Sequence, residues 1–396
     1  MLSQRCVDLG TARSVIRELF EYGKLRAKEV GADKVFDFSI GNPSVPPPHE
    51  VQETLARLLT TVDPLTLHGY TSAQGDLAVR ELLAASLSKR FGHEYTASQL
   101  YLTVGAAAAL CCVFHALTVP GDEYILFAPY FPEYTVFIEG AGARVNILPP
   151  QYPDFQIDLN ALEAAVNEHT KAVLINSPNN PSGAVYTPET LNALGKLLED
   201  KSRQYGHPIY LISDEPYREL TYDSVTTPWT PDFYRDTIVC YSYSKSLSLP
   251  GERIGYVLVG RSVTDSETVY AAVAGAGRTL GYVNAPSLFQ RVAAACDGLR
   301  ADVGVYAENR RLLTEELGKL GYDTAHPPQG TFYYFLPTLE PDDVAFCQQA
   351  KALDLLLVPG SGFGAPGYAR LSFCVPTDRI RGAIPGFHAL AQRYGR

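Results

Sequence analysis

Seven short apolar runs, each separated from the next by a helical pattern or a turn, constrain this chain more than any other feature. They are Tyr101–Val104, Glu123–Ala128, Arg144–Pro149, Lys171–Asn176, Ile209–Asp214, Thr237–Tyr241 and Ile254–Val259. Their apolar character is nearly continuous rather than alternating, which marks strands covered on both faces. Strands alternating with helices imply right-handed βαβ units and a mostly parallel sheet. The pattern predicts a large α/β domain over residues 46–280, built on a seven-stranded sheet. The C-terminal third has a different rhythm. A helical stretch over Ala285–Leu317 precedes short strands at Thr331–Leu336, Leu355–Val358 and Ala369–Phe373, and a helix closes the chain over Asp378–Tyr394. Together with a helical pattern at Arg13–Val30, it predicts a smaller α+β domain from residues 1–45 and 281–396. The Pro-rich stretch Asn42–Pro48 cannot be helical and reads as an extended connector.

Composition narrows the function. Apolar residues make up 46% of the 396, enough for a large core, and the net charge is -10. That balance argues against nucleic acid or an anionic membrane as the main partner, yet leaves room for a locally basic pocket. The seven cysteines are odd in number and form no CxxC pair, so they read as buried thiols in a reducing compartment. The eight histidines show no metal-ligand spacing. The first residues carry no apolar signal core, and no run is long enough to span a membrane, so a cytoplasmic location is expected. The glycine-rich phrases at 275–278 and 360–364 lack the strand–GxGxxG–helix setting of a dinucleotide site.

In open α/β sheets, ligands bind outside the carboxyl ends of the strands. Five strand ends in this chain deliver polar residues to that place. One run enters Asn176-Ser-Pro-Asn-Asn-Pro-Ser-Gly183, another ends in Asp214-Glu-Pro-Tyr217, and a third in Ser242-Tyr-Ser-Lys245. Arg253 precedes a fourth, and the first opens into Gly105 and an Ala-rich helix start. Each residue alone has a plain alternative: a surface lysine for Lys245, a helix N-cap for Asp214, an Asn-Pro turn for Asn180, a core side chain for Phe131. Their coincidence at one sheet edge points to a site.

These motifs, taken in order, resemble the fold-type I aminotransferases related to aspartate aminotransferase. The markers are Tyr70-Thr-Ser-Ala-Gln-Gly75 with Leu77 and Arg80, then NSPNNPSG, SDEPY, SYSKSLSLPGERIG and Arg370-Leu-Ser-Phe373. The resemblance covers nearly the whole chain and implies pyridoxal 5'-phosphate as cofactor. It implies that Lys245 forms a Schiff base with the cofactor aldehyde and later shuttles protons. Asp214 would pair with the pyridine nitrogen, and Tyr217 and Asn180 would donate to the phenolic oxygen. Arg253, Ser242, Ser244 and the helix start at Gly105, Ala106 and Ala107 would hold the phosphate. Here the chain departs from many relatives, since Gly105–Ala109 offers no Ser, Thr or Lys. Phe131 would stack on the ring, Arg370 would clamp the substrate α-carboxylate, and Gly41 and Asn42 would line the pocket. Tyr70 resembles the tyrosine that reaches the phosphate in a neighbouring subunit, which implies a homodimer with shared active sites.

The substrates expected are an α-amino acid, aspartate or glutamate, and a 2-oxo acid. The lysine that some relatives carry beyond the Gly105 position is Ala107 in this chain. Arg278 is the candidate for a distal carboxylate, reaching across a dimer; the alternative is an ordinary surface or interface arginine. The same fold hosts β-lyases, decarboxylases and cyclases, because the ring chemistry is common to all. A cofactor-binding sensor without catalysis is a third reading, though the chain shows no DNA-binding module.

Overall fold

A computed structural model describes residues 2–11 and 15–396. The start of the expected Arg13–Val30 helix, Arg13 and Ser14, lies outside the described residues. The apolar runs become seven strands: β1 (Leu100–Thr103), β2 (Glu123–Phe127), β3 (Arg144–Leu148), β4 (Thr170–Asn176), β5 (Tyr210–Asp214), β6 (Thr237–Ser242) and β7 (Gly255–Val259). They form one sheet in the order β1-β7-β6-β5-β4-β2-β3, with only β7 antiparallel to its neighbours.

Packing explains the continuous apolar runs. Side chains alternate between the two faces of a strand, and here both faces are buried. Ile212, Ile238, Cys240 and Val257 pack on one side, under the helices Ala106–Leu117 and Ser266–Thr279. Leu211, Val239, Tyr241 and Leu258 pack on the other, under the helices Leu77–Phe91, Pro188–Tyr205 and Ser287–Ala295. The helix Pro188–Tyr205 shows how local sequence sets the ends. Thr187 Oγ1 accepts from Thr190 N, Pro188 takes the first position, and Gly206 stops the helix at φ 75°.

A second core lies in the C-terminal third. Strands Val358–Pro359, Tyr368–Ser372 and Tyr333–Pro337 form an antiparallel sheet against the helices Gly304–Lys319, Asp343–Lys351 and Thr377–Arg393. The N-terminal helix Val15–Val30 packs Leu19 against Phe335, Val358 and Phe363. The short strand Phe36–Asp37 then pairs with Leu355–Leu356. From there residues 40–48 run without helix or strand, as the prolines require.

Two sequence expectations are corrected. The stretch Ala285–Leu317 is two helices, Ser287–Ala295 and Gly304–Lys319, not one. Gly298 at φ 83° breaks it, and the intervening Ala301 N donates to Ser246 O at 2.7 Å, beside Lys245. The run Leu355–Val358 is likewise divided between two sheets, because Leu355–Leu356 pairs with the N-terminal strand and Val358 with Arg370. Among the cysteines, Cys6 is exposed and Cys111 half-buried, while the other five are buried. No helix among the described residues is long and apolar enough to cross a membrane.

Candidate active site

Sheet register gathers the chemistry at one edge. Asn176 stands beside Asp214, Asp214 beside Cys240, and Ser242 and Thr103 on either side of Gly255. Ser242 ends β6 and caps the short helix Tyr243–Ser246, its Oγ accepting from Ser244 N. That turn sends Lys245 into a cavity of about 310 Å³, where its Nζ donates to Gly41 O at 2.8 Å. Among the described residues the ammonium has no carboxylate partner, and it lies 5.2 Å from the Phe332 ring. Burial lowers its pKa to about 8, and Arg253 and Arg370 push the same way.

Asp214 lies on the neighbouring strand end, buried in the same cavity wall. Tyr134 Oη donates to its Oδ2 at 2.6 Å, but Oδ1 has no partner among the described residues. Burial raises this carboxyl to about pH 7, against the opposing pull of the Tyr134 bond. The expected alternative, a helix N-cap, does not form, since no helix follows Asp214. Asn176 braces the spot by donating to Asp214 O at 2.9 Å and accepting from Asn180 N at 2.7 Å.

The opposite end of the cavity is a donor cradle. The Ser242 and Ser244 hydroxyls lie 2.7 Å apart, and Arg253 Nη1 donates to Ser244 Oγ at 3.4 Å. The helix Ala106–Leu117 starts there, preceded by Gly105 at φ 93°. Only glycine fits that position: a Cβ would sit 2.5 Å from Arg253 Nη2. The first amides of the helix therefore point where the guanidinium and hydroxyls converge.

A second cation faces the cavity from strand Tyr368–Ser372. Arg370 is buried, donates through Nη1 to Asn180 Oδ1 at 3.1 Å and through Nη2 to Ser39 O, and leaves Nε without a partner among the described residues. Burial lowers its pKa, as expected for a guanidinium that has no carboxylate beside it. Tyr217 and Tyr333 meet hydroxyl to hydroxyl at 3.1 Å, and the Tyr333 ring lies 4.5 Å from Arg370 Cζ. Phe131 forms another wall, edge-on to Tyr134 with ring centres 5.5 Å apart. Of the described residues lining the cavity, Lys245, Arg253 and Arg370 are cationic and Asp214 alone is acidic. The pocket is thus positive in a chain of net charge -10, as a pocket for anionic ligands must be. A larger crevice of about 460 Å³ opens elsewhere, beside Phe155 and Pro328, but its Arg310 is already paired with Asp223 at 2.8 Å.

Gly41, Ala106, Ala107, Phe131, Asn180, Asp214, Tyr217, Ser242, Ser244, Lys245, Arg253 and Arg370 all face this cavity, and Gly105 borders it. Three expected residues are not brought in by a single chain. Asn42 is exposed next to Gly41, Tyr70 is 98% exposed, and Arg278 is exposed near the end of the helix Ser266–Thr279.

The profile of the family described as aminotransferase class I and II matches residues 33–385. Aspartate aminotransferase of Thermotoga maritima is 33% identical over 393 residues, covering 97% of each chain. The chain belongs to the class I and II aminotransferases. Aspartate/prephenate aminotransferase of Thermus thermophilus is 30% identical, with 92% of each chain covered. A crystal structure of an aminotransferase from Eubacterium rectale superposes with a TM-score of 0.97 at 52% identity, over 100% of both chains. The chain is therefore an aminotransferase enzyme with the family's α/β fold, acting on small amino and 2-oxo acids.

Three residues of this aminotransferase site carry contacts that the sequence did not assign. Asn176 opens the NSPNNPSG motif, and its place at the end of β4 beside Asp214 was readable from strand order. Tyr134 lies three residues beyond Phe131, on the cavity side of the helix Glu133–Gly140. Tyr333 sits in an aromatic run, Phe332-Tyr-Tyr-Phe335, that looks like core alone.

Proposed function

We propose that the enzyme is a pyridoxal-phosphate-dependent transaminase that moves the amino group of aspartate or glutamate to a 2-oxo acid. The observation that carries this reading is the pairing of two buried, uncompensated groups in one cavity. Among the described residues, Lys245 has no carboxylate partner and Asp214 Oδ1 has no donor. An unpaired buried oxygen is costly, on the order of 1–3 kcal/mol, and a protonated pyridine nitrogen is the kind of donor that relieves it. The cradle at the other end fits a phosphate, with a guanidinium, two hydroxyls and helix amides.

When bound, pyridoxal phosphate supplies an aldehyde that accepts the amino group and a ring that takes up electrons released at the substrate α-carbon. The residues then divide the work. Ser242, Ser244, Arg253 and the amides after Gly105, at Ala106 and Ala107, hold the phosphate. Asp214 Oδ1 would accept the pyridine N–H and keep that nitrogen charged. Tyr217 would donate to the phenolic oxygen. Asn180 directs its Oδ1 at Arg370, which leaves its Nδ2 to make the second such bond. Phe131 covers the ring face. Lys245 would hold the aldehyde and, once its amine is free, would carry the proton from the substrate α-carbon. A pKa of about 8 leaves part of its amine neutral near physiological pH, the form both tasks need. Arg370, whose Nε has no partner among the described residues, would take the α-carboxylate, and Gly41 would give the substrate room to approach. Tyr70, exposed in one chain, reaches the phosphate of a second copy, so the working unit is a homodimer.

The choice of donor is supported by the names of the relatives, which include aspartate and aspartate/prephenate aminotransferases. The outer wall contributes Ile16, Ile40, Leu110 and Phe137, with no further cation among the described residues lining the cavity. Exposed Arg278 of a second copy is assigned the distal carboxylate. The test is the visible absorbance of the cofactor-loaded enzyme, mixed with one amino acid at a time. Aspartate or glutamate is expected to bleach the band and a 2-oxo acid to restore it. Arg278→Ala is expected to raise the concentration of dicarboxylic donor needed by ~10- to 100-fold, with neutral donors unchanged. A band indifferent to every common donor contradicts transamination, and equal effects on both donor classes contradict the role of Arg278.

A further inference from the structure

We propose that Tyr333 is a positioning residue whose hydroxyl donates to Tyr217 and thereby aims the Tyr217 proton at the cofactor's phenolic oxygen. The inference rests on the cofactor reading above and adds a residue to it. Tyr333 begins the strand Tyr333–Pro337 and is 4% exposed. Its hydroxyl meets that of Tyr217 at 3.1 Å, and among the described residues neither hydroxyl makes another hydrogen bond. Two hydroxyls in contact hold two protons but share only one between them, so the other must point away from the pair. Arg370 favours one arrangement. Its guanidinium lies over the Tyr333 ring at 4.5 Å and acts against the burial that raises that phenol's pKa, which makes Tyr333 the better donor of the pair. The Gly41 backbone closes another side, so tightly that a Cβ there would lie 1.9 Å from Tyr333 Oη. The Tyr333 proton is thus directed to Tyr217, and the Tyr217 proton into the cavity.

Burial raises the pKa of both phenols, so both keep their protons. The charged and titratable groups facing the pair are Arg370, Asp214, Lys245 and the Cys374 thiol. A hydroxyl whose oxygen accepts a bond is a stronger donor. Gly41 also ties the pair to the lysine, since its carbonyl holds Lys245 Nζ at 2.8 Å.

The test is a pH titration of the visible band in wild type, Tyr333→Phe, Tyr217→Phe and the double variant, each loaded with pyridoxal phosphate. Negative charge on the phenolic oxygen keeps the proton on the Lys245 nitrogen. A weaker Tyr217 donor leaves more of that charge in place and raises the apparent pKa. Tyr333→Phe is expected to raise it by ~0.5 pH unit, Tyr217→Phe by more, and the double variant no further than Tyr217→Phe alone. In turnover, Tyr333→Phe is expected to lower kcat ~3-fold with KM within ~2-fold, because the ring over Arg370 is kept. A wild-type pKa in Tyr333→Phe, or the same increment with and without Tyr217, overturns the proposal. So does a raised KM at unchanged kcat, which would place the effect at Arg370. A wild-type protein with no band overturns the cofactor reading itself, whereas a band without the Tyr333 effect overturns only this inference.

Discussion

Lys245→Ala is expected to lower the rate of a single amino-transfer half-reaction by ~10⁴-fold or more, with the cofactor still held at its phosphate and ring. The size follows from two losses at once. In the proposed mechanism the amine would both hold the aldehyde and move the α-proton, and no other amine faces the cavity among its described lining residues. The fold does not depend on it, because among the described residues the Lys245 side chain makes one hydrogen bond, to Gly41 O, and no ion pair. Far-ultraviolet circular dichroism is therefore expected to match wild type, while stopped-flow absorbance with the best donor records the loss. A half-reaction within tenfold of wild type would remove Lys245 from the chemistry.

Asp214→Asn is expected to slow the half-reaction on the order of 10³-fold, because a neutral amide cannot hold a charged pyridine nitrogen in place. The same substitution has a readout independent of turnover. In cofactor-free protein, burial raises the folded-state pKa of Asp214 from 3.8 to about 7. Between those values the folded protein keeps a proton that the unfolded chain has lost. Stability therefore falls as pH rises through this window, by on the order of 4 kcal/mol from this group alone. Asp214→Asn is expected to flatten the dependence of unfolding free energy on pH between about 4 and 7. Denaturant unfolding at several pH values measures it. An unchanged slope would mean that another group titrates in that window and that Asp214 is not the uncompensated carboxyl.

The sheet and most of the site were legible because each rests on short-range pattern. Seven apolar runs gave seven strands, since a strand buried on both faces has few other solutions in an α/β chain. Lys245, Asp214, Asn180 and Arg253 sit at strand ends or in the turns beside them, where position follows from strand order. What escaped was set by contacts between distant segments. The break at Cys296–Val303 combines Gly298 at φ 83° with the docking of Ala301 on Ser246, 55 residues earlier in the chain. Helical periodicity on either side of it gave no sign of that bond. Leu355–Val358 was divided by strand partners at Phe36 and Arg370, which local sequence does not name. Tyr333 was hidden for a related reason: its apolar neighbours mark a core strand, and only the fold brings its hydroxyl to Tyr217. Tyr70 and Arg278 are a different case, because both lie on the surface of one chain and their proposed work is in another.

The central claim, that Lys245 carries the cofactor, is tested most directly by chemical trapping. Protein loaded with pyridoxal phosphate is reduced with borohydride, digested and read by mass spectrometry. The account predicts one stable pyridoxyl phosphate adduct, on the peptide containing Ser242-Tyr-Ser-Lys245, and none on that peptide in Lys245→Ala. A stoichiometric adduct on any other lysine, or a fully loaded protein from which no adduct can be trapped, would contradict it.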